Sequence, residues 1–294
     1  MTDAALAAPA SRRPRLDAED EILPINALSA MQKLRGYFRL AGFVLATLLV
    51  IPVQWTMVKL RLPGRKAIPF RFHRLVCRII GMRVKVTGAI ESGGGVLIAS
   101  NHASWLDIVS VSSVGPISFI AKKQVDTWPF FGLLARLQET VYVERERRSK
   151  TAEQRDVIKD RLGRGDTIVL FPEGTSSDGN RVLPFKSALL SAAEGTIPGP
   201  DGAPKAIRVQ PMSIAYTKLQ GLPMNREFRP FFAWYGDMDL VPHLWEAFRL
   251  GPIDCEITLH PSMTVEECGS RKALTQKCEA IISDSLARAL AGRG

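Results

Sequence analysis

His102 and Asp107 are the residues whose types and spacing point to proton transfer. They stand five apart in Asn101-His102-Ala103-Ser104-Trp105-Leu106-Asp107. On a regular helix five residues turn through roughly 140°, too far for the two side chains to touch. The imidazole therefore belongs on the turn before a helix, and the carboxylate in that helix's first turn. So placed, the carboxylate can accept the Nδ1–H and leave Nε2 free as a base. A structural role fits the same residues, because Ser104-x-x-Asp107 matches a serine helix cap followed by an acidic first turn. A second polar turn, Phe171-Pro172-Glu173-Gly174-Thr175, shifts the weight towards catalysis.

Each turn leaves a short run of apolar, branched residues: Val96-Leu97-Ile98-Ala99-Ser100 and Thr167-Ile168-Val169-Leu170. Such runs read as buried strands. Polar turns at the C-terminal ends of two buried strands are where an open α/β sheet places its site. Further strands are expected at 83–87, 117–121, 140–143, 207–215, 230–234 and 255–260. Helices are expected at 106–114, 130–137, 152–162, 187–194 and 271–291. This alternation predicts an α/β fold, a mixed sheet flanked by helices. Residues 195–204 and 221–226 carry the Gly and Pro of surface connections.

Ahead of that body the chain changes character. Residues 1–30 mix Ala and Pro with alternating charge and show no apolar period, the pattern of a disordered cytosolic tail. The first long apolar run begins too far in for a secretory signal. Between Lys33 and Lys85 there are twelve Lys or Arg and no Asp or Glu, and residues 40–58 carry no charge. Nineteen helical residues reach roughly 29 Å, barely a bilayer core, and Pro52 and Gln54 interrupt them. Next, Phe72, Leu75, Val76, Ile79 and Ile80 repeat at helical spacing opposite Arg71, Arg74 and Arg78. A basic amphipathic helix of this kind reads as lying in a membrane interface, with an ordinary core-facing helix as the alternative. We therefore divide the chain into the tail (1–30), basic membrane-anchoring helices (31–82) and a catalytic body (83–294). The net charge of +10 calls for an acidic partner. Because its cations flank an apolar run, anionic lipid is favoured and nucleic acid is not. The four cysteines have no metal-ligand spacing and read as thiols of a reducing compartment.

His-x-x-x-x-Asp within Asn-His-x-Ser-x-x-Asp, followed some 70 residues later by Phe-Pro-Glu-Gly-Thr, resembles the glycerophospholipid acyltransferase superfamily. The resemblance runs from about Val84 to Tyr216. It implies transfer of an acyl group from an acyl carrier protein or coenzyme A thioester to a lysolipid hydroxyl, with no cofactor and no metal. It also implies work at the cytoplasmic face of a bacterial inner membrane. His102 would be the base and Asp107 its partner; Glu173, Gly174 and Thr175 would line the acceptor site, or Glu173 would orient its turn. Arg145 would pair with the headgroup, although Arg145, Arg147, Arg148 and Lys150 also fit a solvated run or a dock for an acidic carrier protein. Lys186 would be an accessory cation, and Pro211, in Val209-Gln210-Pro211, would shape an acyl channel. Trp128-Pro129-Phe130-Phe131 reads as lipid-facing or core. The chain has no Gly-x-Ser-x-Gly elbow, which argues against a serine esterase.

The chain departs from the phosphate-accepting members at three positions. Ser176 stands where they commonly carry Arg, Glu139 opens the second block in place of Gly, and Ala188 replaces a usual Gly. With one phosphate-pairing cation missing, a zwitterionic headgroup suits the site better than a dianionic phosphate. Residues 171–189, with Ala233-Trp234-Tyr235-Gly236-Asp237-Met238-Asp239, look most like the bacterial lyso-ornithine lipid acyltransferases. The 1-acyl-glycerol-3-phosphate acyltransferases are the alternative, and a non-catalytic membrane-binding protein is the alternative from another class.

Overall fold

The computed structural model describes residues 30–143, 151–199 and 202–293. Strands form where the sequence runs apolar and branched: β1 (Met82–Thr87), β2 (Val96–Ser100), β3 (Ile117–Lys122), β4 (Val141–Val143), β5 (Thr167–Leu170), β8 (Arg208–Leu219) and β10 (Ile253–Leu259). They hydrogen-bond in the order β1-β10-β8-β2-β5-β3-β4. β2 is parallel to both β5 and β8, whereas β10 is antiparallel to β8 and parallel to β1. The sheet is therefore mixed, as the alternation of elements predicts.

β2 lies in the middle and is buried at all five positions, which is why it reads as an unbroken apolar run. Alternation turns Val96, Ile98, Val169, Met212 and Ile214 to one face and Leu97, Ala99, Ile168, Leu170 and Val209 to the other. α1 (Ala30–Lys59), α2 (Ala67–Ile80), α3 (Leu106–Ser112) and α6 (Leu240–Leu250) cover the first face; α5 (Thr151–Gly163) and α8 (Arg271–Leu290) cover the second. At the entrance to β2 a Cβ on Gly95 would stand 2.0 Å from the Leu162 carbonyl oxygen. Only glycine lets α5 pack that close.

The basic amphipathic stretch is a helix whose apolar side packs mostly on protein, with Leu75 left 41% exposed. Val76, Cys77 and Ile80 of α2 are buried in the same cluster as Met82 and Leu106, while Arg71, Arg74 and Arg78 are exposed. α1 runs over this layer and is fastened near both ends. Arg35 and Arg39 donate to the Arg249 and Phe248 carbonyls at the end of α6. Gln54, 3% exposed, donates to the Leu137 and Arg65 carbonyls. The polar residue that weakens a clean bilayer span thus faces the protein, and the opposite face of α1 leaves Phe38, Leu45 and Leu49 more than half exposed. By length and composition α1 is long and apolar enough to cross a membrane.

Three sequence expectations are corrected. Residues 230–234 form no strand: a 3-10 turn, Arg229–Phe231, leads into a loop, because Pro230 has no N–H to give a ladder. α6 is missing from the expected helices because Pro242 obscures its start, although a proline is tolerated in a helix's first turn. The stretch 195–204 is more than a connection: it contributes β6 (Thr196–Pro198), paired with β7 (Pro204–Ala206), and β9 (Leu222–Pro223) lies in the second such stretch, paired with the end of β8. The cysteines at 77, 255, 268 and 278 are all free.

Candidate active site

β2 ends at Ser100 and the chain turns through Asn101 to Trp105 before α3 begins. Asn101 sets that turn. Its side chain donates to the Ile214 carbonyl at 2.9 Å and accepts the Ile214 N–H at 2.8 Å, tying the exit of β2 to neighbouring β8. His102 and Asp107 meet as their spacing requires, with Nδ1 of the imidazole 2.7 Å from Asp107 Oδ2. A carboxylate oxygen can only accept, so Nδ1 carries the proton and Nε2 has a free lone pair. Oδ2 also accepts the Ala103 and Ser104 N–H groups, and Oδ1 accepts the Tyr216 hydroxyl at 2.6 Å. Asp107 thus holds the backbone ahead of α3 as well as the imidazole, but Ser104 is no serine cap: Trp105 precedes the helix, and the buried Ser104 hydroxyl has no partner among the described residues. Asp107 is sealed, while the His102 side chain is 20% exposed and its ring stacks on Phe171 at 4.1 Å between centroids.

The second turn is stitched to the first. Glu173, 1% exposed, accepts the His102 N–H at 2.7 Å with one oxygen and the Leu183 N–H at 3.0 Å with the other. Ser177 N–H closes the link on the His102 carbonyl at 2.8 Å. Burial pushes the Glu173 carboxyl up to about 8, against the pull of its two backbone donors. Gly174 bends with φ +77°, a conformation that favours glycine.

Both turns border a cavity of about 1200 Å³ that extends from His102 between the sheet and helices α1, α2 and α4 (Phe131–Leu137). Phe43, Val50, Ile51, Phe72, Val109 and Leu134 make its walls apolar, and Lys122, Lys123 and Lys186 stand in its lining with Thr175 and Ser176.

Of the residues singled out in the sequence, His102, Gly174, Thr175 and Lys186 border this cavity. Glu173 does not line it; its carboxylate faces inward and holds the two turns, the orienting alternative. Pro211 is not a channel residue. It sits in the sheet beside Ala99, its carbonyl accepts the His260 N–H, and it has no place in the cavity wall. Arg145, with Arg147, Arg148 and Lys150, lies outside the described residues. Glu139 adopts φ +54°, which explains a usual glycine there; both carboxylate oxygens take Arg65 Nε at 3.2 Å. Ala188 lies in the 3-10 helix Ser187–Ala193 and has no positive φ. The sequence reading missed Tyr216, 109 positions beyond Asp107. Alternation on β8, which sets it on the face of Met212 and Ile214, was the available signal. Trp234 stands in the sequence reading only as part of the 233–239 likeness; in the structure its backbone N–H donates to the Ala103 carbonyl at 2.8 Å.

The family described as Acyltransferase matches residues 83–215, the span that contains both turns. The lyso-ornithine lipid O-acyltransferase of Brucella abortus (strain 2308) is 45% identical over 260 residues, covering 88% of this chain and 97% of that protein. The chain belongs to the acyltransferase family. A lyso-ornithine lipid O-acyltransferase of Rhizobium meliloti (strain 1021) is 41% identical over 83% of this acyltransferase and 84% of its own length. At lower identity, 32%, a 1-acyl-sn-glycerol-3-phosphate acyltransferase of Neisseria gonorrhoeae covers 67% of this chain and 72% of itself. The fold of this acyltransferase is shared with the crystal structure of the Thermotoga maritima 1-acyl-sn-glycerophosphate acyltransferase, with a TM-score of 0.59 and 19% identity over 88% of this chain and 94% of the other.

Proposed function

We propose that this enzyme esterifies the free hydroxyl of lyso-ornithine lipid with a fatty acyl group taken from a thioester, giving ornithine lipid. The observation that carries the mechanism is the 2.7 Å contact of His102 with Asp107 beside a largely apolar cavity of about 1200 Å³. Nε2 of His102 takes the acceptor hydroxyl proton as that oxygen attacks the thioester carbonyl carbon. The tetrahedral intermediate then expels the thiolate, which recovers the proton from the imidazolium, and Asp107 stabilises the cation while it exists. Thr175 borders the cavity and its N–H donates to no described group, so we assign that N–H to the oxyanion. The acceptor assignment draws on the identities with the Brucella and Rhizobium enzymes and on Ser176 in place of a phosphate-pairing arginine. A lysophosphatidate acceptor is the second reading, favoured by the Neisseria relative and the lysines of the cavity lining.

The donor is an acyl carrier protein thioester, in keeping with the cationic run around Arg145 in the sequence and the net charge of +10; coenzyme A would present the same reactive group. The enzyme works at the cytoplasmic face of a bacterial inner membrane. Its basic front end supports this, with the exposed apolar side of α1 seated in the interface while the other side stays on the catalytic body. The test is acyl transfer by purified enzyme with lyso-ornithine lipid and lysophosphatidate offered in parallel. Wild type yields ornithine lipid, and His102→Ala, which removes one partly exposed ring, yields no product while keeping its melting temperature within a few degrees. Near-wild-type turnover by that variant would defeat the role of His102, and formation of phosphatidate alone would defeat the acceptor.

A further inference from the structure

The segment 233–239 crosses beside the two catalytic turns, and its attachments are specific. Phe232, 1% exposed, roots it in the core. Trp234 then donates its N–H to the Ala103 carbonyl at 2.8 Å, next to His102. The Trp234 carbonyl accepts the Ser176 hydroxyl at 2.5 Å. Its indole N–H donates to the Met238 carbonyl at 2.8 Å, folding the segment back on itself, and its ring meets Trp128 edge-on at 5.8 Å between centroids. Trp128, Ser176, Trp234, Tyr235 and Gly236 all line the cavity that contains His102. The segment is thus a strap fastened to both turns, and one fastening is the side chain of Ser176.

We propose that Ser176 is a positioning residue that sets acceptor specificity by pinning this strap over the headgroup end of the cavity; the inference rests on the lysolipid function proposed above. An arginine in its place would reach out as a cation. The serine hydroxyl is instead turned onto a backbone carbonyl, so this wall presents indole and phenol surface. The same strap carries Asp237 and Asp239, both exposed and outside the cavity lining, so the strap adds negative charge beside the cavity rather than a cation inside it. Of the three lysines in that lining, Lys186 follows the second turn and is the one we assign to the headgroup's single carboxylate. Headgroup choice therefore arises from a strap held in one position, with no change at the base.

The test is steady-state kinetics of wild type, Ser176→Ala, Ser176→Thr and Ser176→Arg with lyso-ornithine lipid and lysophosphatidate at saturating donor. Ser176→Ala is expected to raise the KM for lyso-ornithine lipid about fivefold, the loss of one neutral hydrogen bond, with kcat changed far less. Ser176→Thr, which keeps the hydroxyl, is expected to bring that KM back towards the wild-type value. Ser176→Arg is expected to move the ratio of kcat/KM values towards lysophosphatidate by about tenfold or more, on the scale of one charge-assisted contact. An unchanged acceptor KM in Ser176→Ala, or a loss confined to kcat, overturns the strap while leaving the function standing. Failure of the wild type to acylate lyso-ornithine lipid overturns the function first.

Discussion

Asp107→Asn separates the charge of the carboxylate from its geometry. Asp107 Oδ2 accepts three N–H groups, from His102 Nδ1, Ala103 and Ser104, whereas Oδ1 accepts one hydroxyl, from Tyr216. An asparagine in this place keeps its oxygen on the three donors, because two of them are backbone groups that cannot turn away. Its NH₂ then faces the Tyr216 oxygen, whose rotatable hydroxyl can accept. The imidazole keeps its tautomer and its orientation, and only the negative charge is lost. Unit charges about 4 Å apart attract by about 4 kcal/mol at an effective dielectric of about 20. The retained neutral hydrogen bond gives back about 1 kcal/mol. The remaining 3 kcal/mol or so corresponds to a fall in kcat of about 10²-fold, short of the roughly 10⁴-fold known where an equivalent substitution also reverses the tautomer. The assay is product formation by mass spectrometry at saturating thioester, with circular dichroism to verify folding. A fall beyond about 10⁴ in a folded variant would show that the amide turns and the backbone donors do not fix it. A fall below tenfold would show that no imidazolium forms beside Asp107 in the slow step.

Two further outcomes follow from the neighbouring residues. Glu173, raised from 4.5 to about 8, holds its proton in the folded state over a range where the unfolded chain has lost it. Its contribution is therefore fully present below about pH 4.5 and is lost as pH rises through 8, by up to about 1.4 kcal/mol per pH unit for one proton. Urea unfolding of wild type and Glu173→Gln between pH 5 and 9 reads the difference, and equal slopes for the two proteins would mean that the backbone donors keep Glu173 ionised. At Glu139, φ +54° and the Arg65 pair act in opposite senses. Glu139→Gly relieves the left-handed backbone and Glu139→Ala does not, so the glycine variant should be the more stable by about 1 kcal/mol; equal melting temperatures would remove the strain argument.

Much of the site was legible because its two halves are local. The five-residue spacing forces His102 off the helix that carries Asp107, and the apolar runs before each turn read as central strands because both sheet faces bury them. The same local logic put a basic, apolar front end ahead of the body. Where it failed, the deciding contact was distant or the chain's local bias misled. Glu173 and Pro211 carry no local mark of whether they face a cavity or the packed interior; the inward turn of one is set by the His102 and Leu183 N–H groups, and the place of the other by sheet register. The amphipathic pattern of α2 has the same period whether lipid or protein covers it, which is why the sequence left both open; here Val76 and Ile80 pack with Leu106 and Met82 while Leu75 stays exposed. Tyr216 entered the site only when β8 was folded against the turns, and the Ser176–Trp234 contact only when the strap was. A sequence fixes which groups are near in the chain and what each can donate or accept. Which distant acceptor reaches which donor depends on how the sheet orders its strands, and that order sets a phenol on Asp107 and a strap across the cavity.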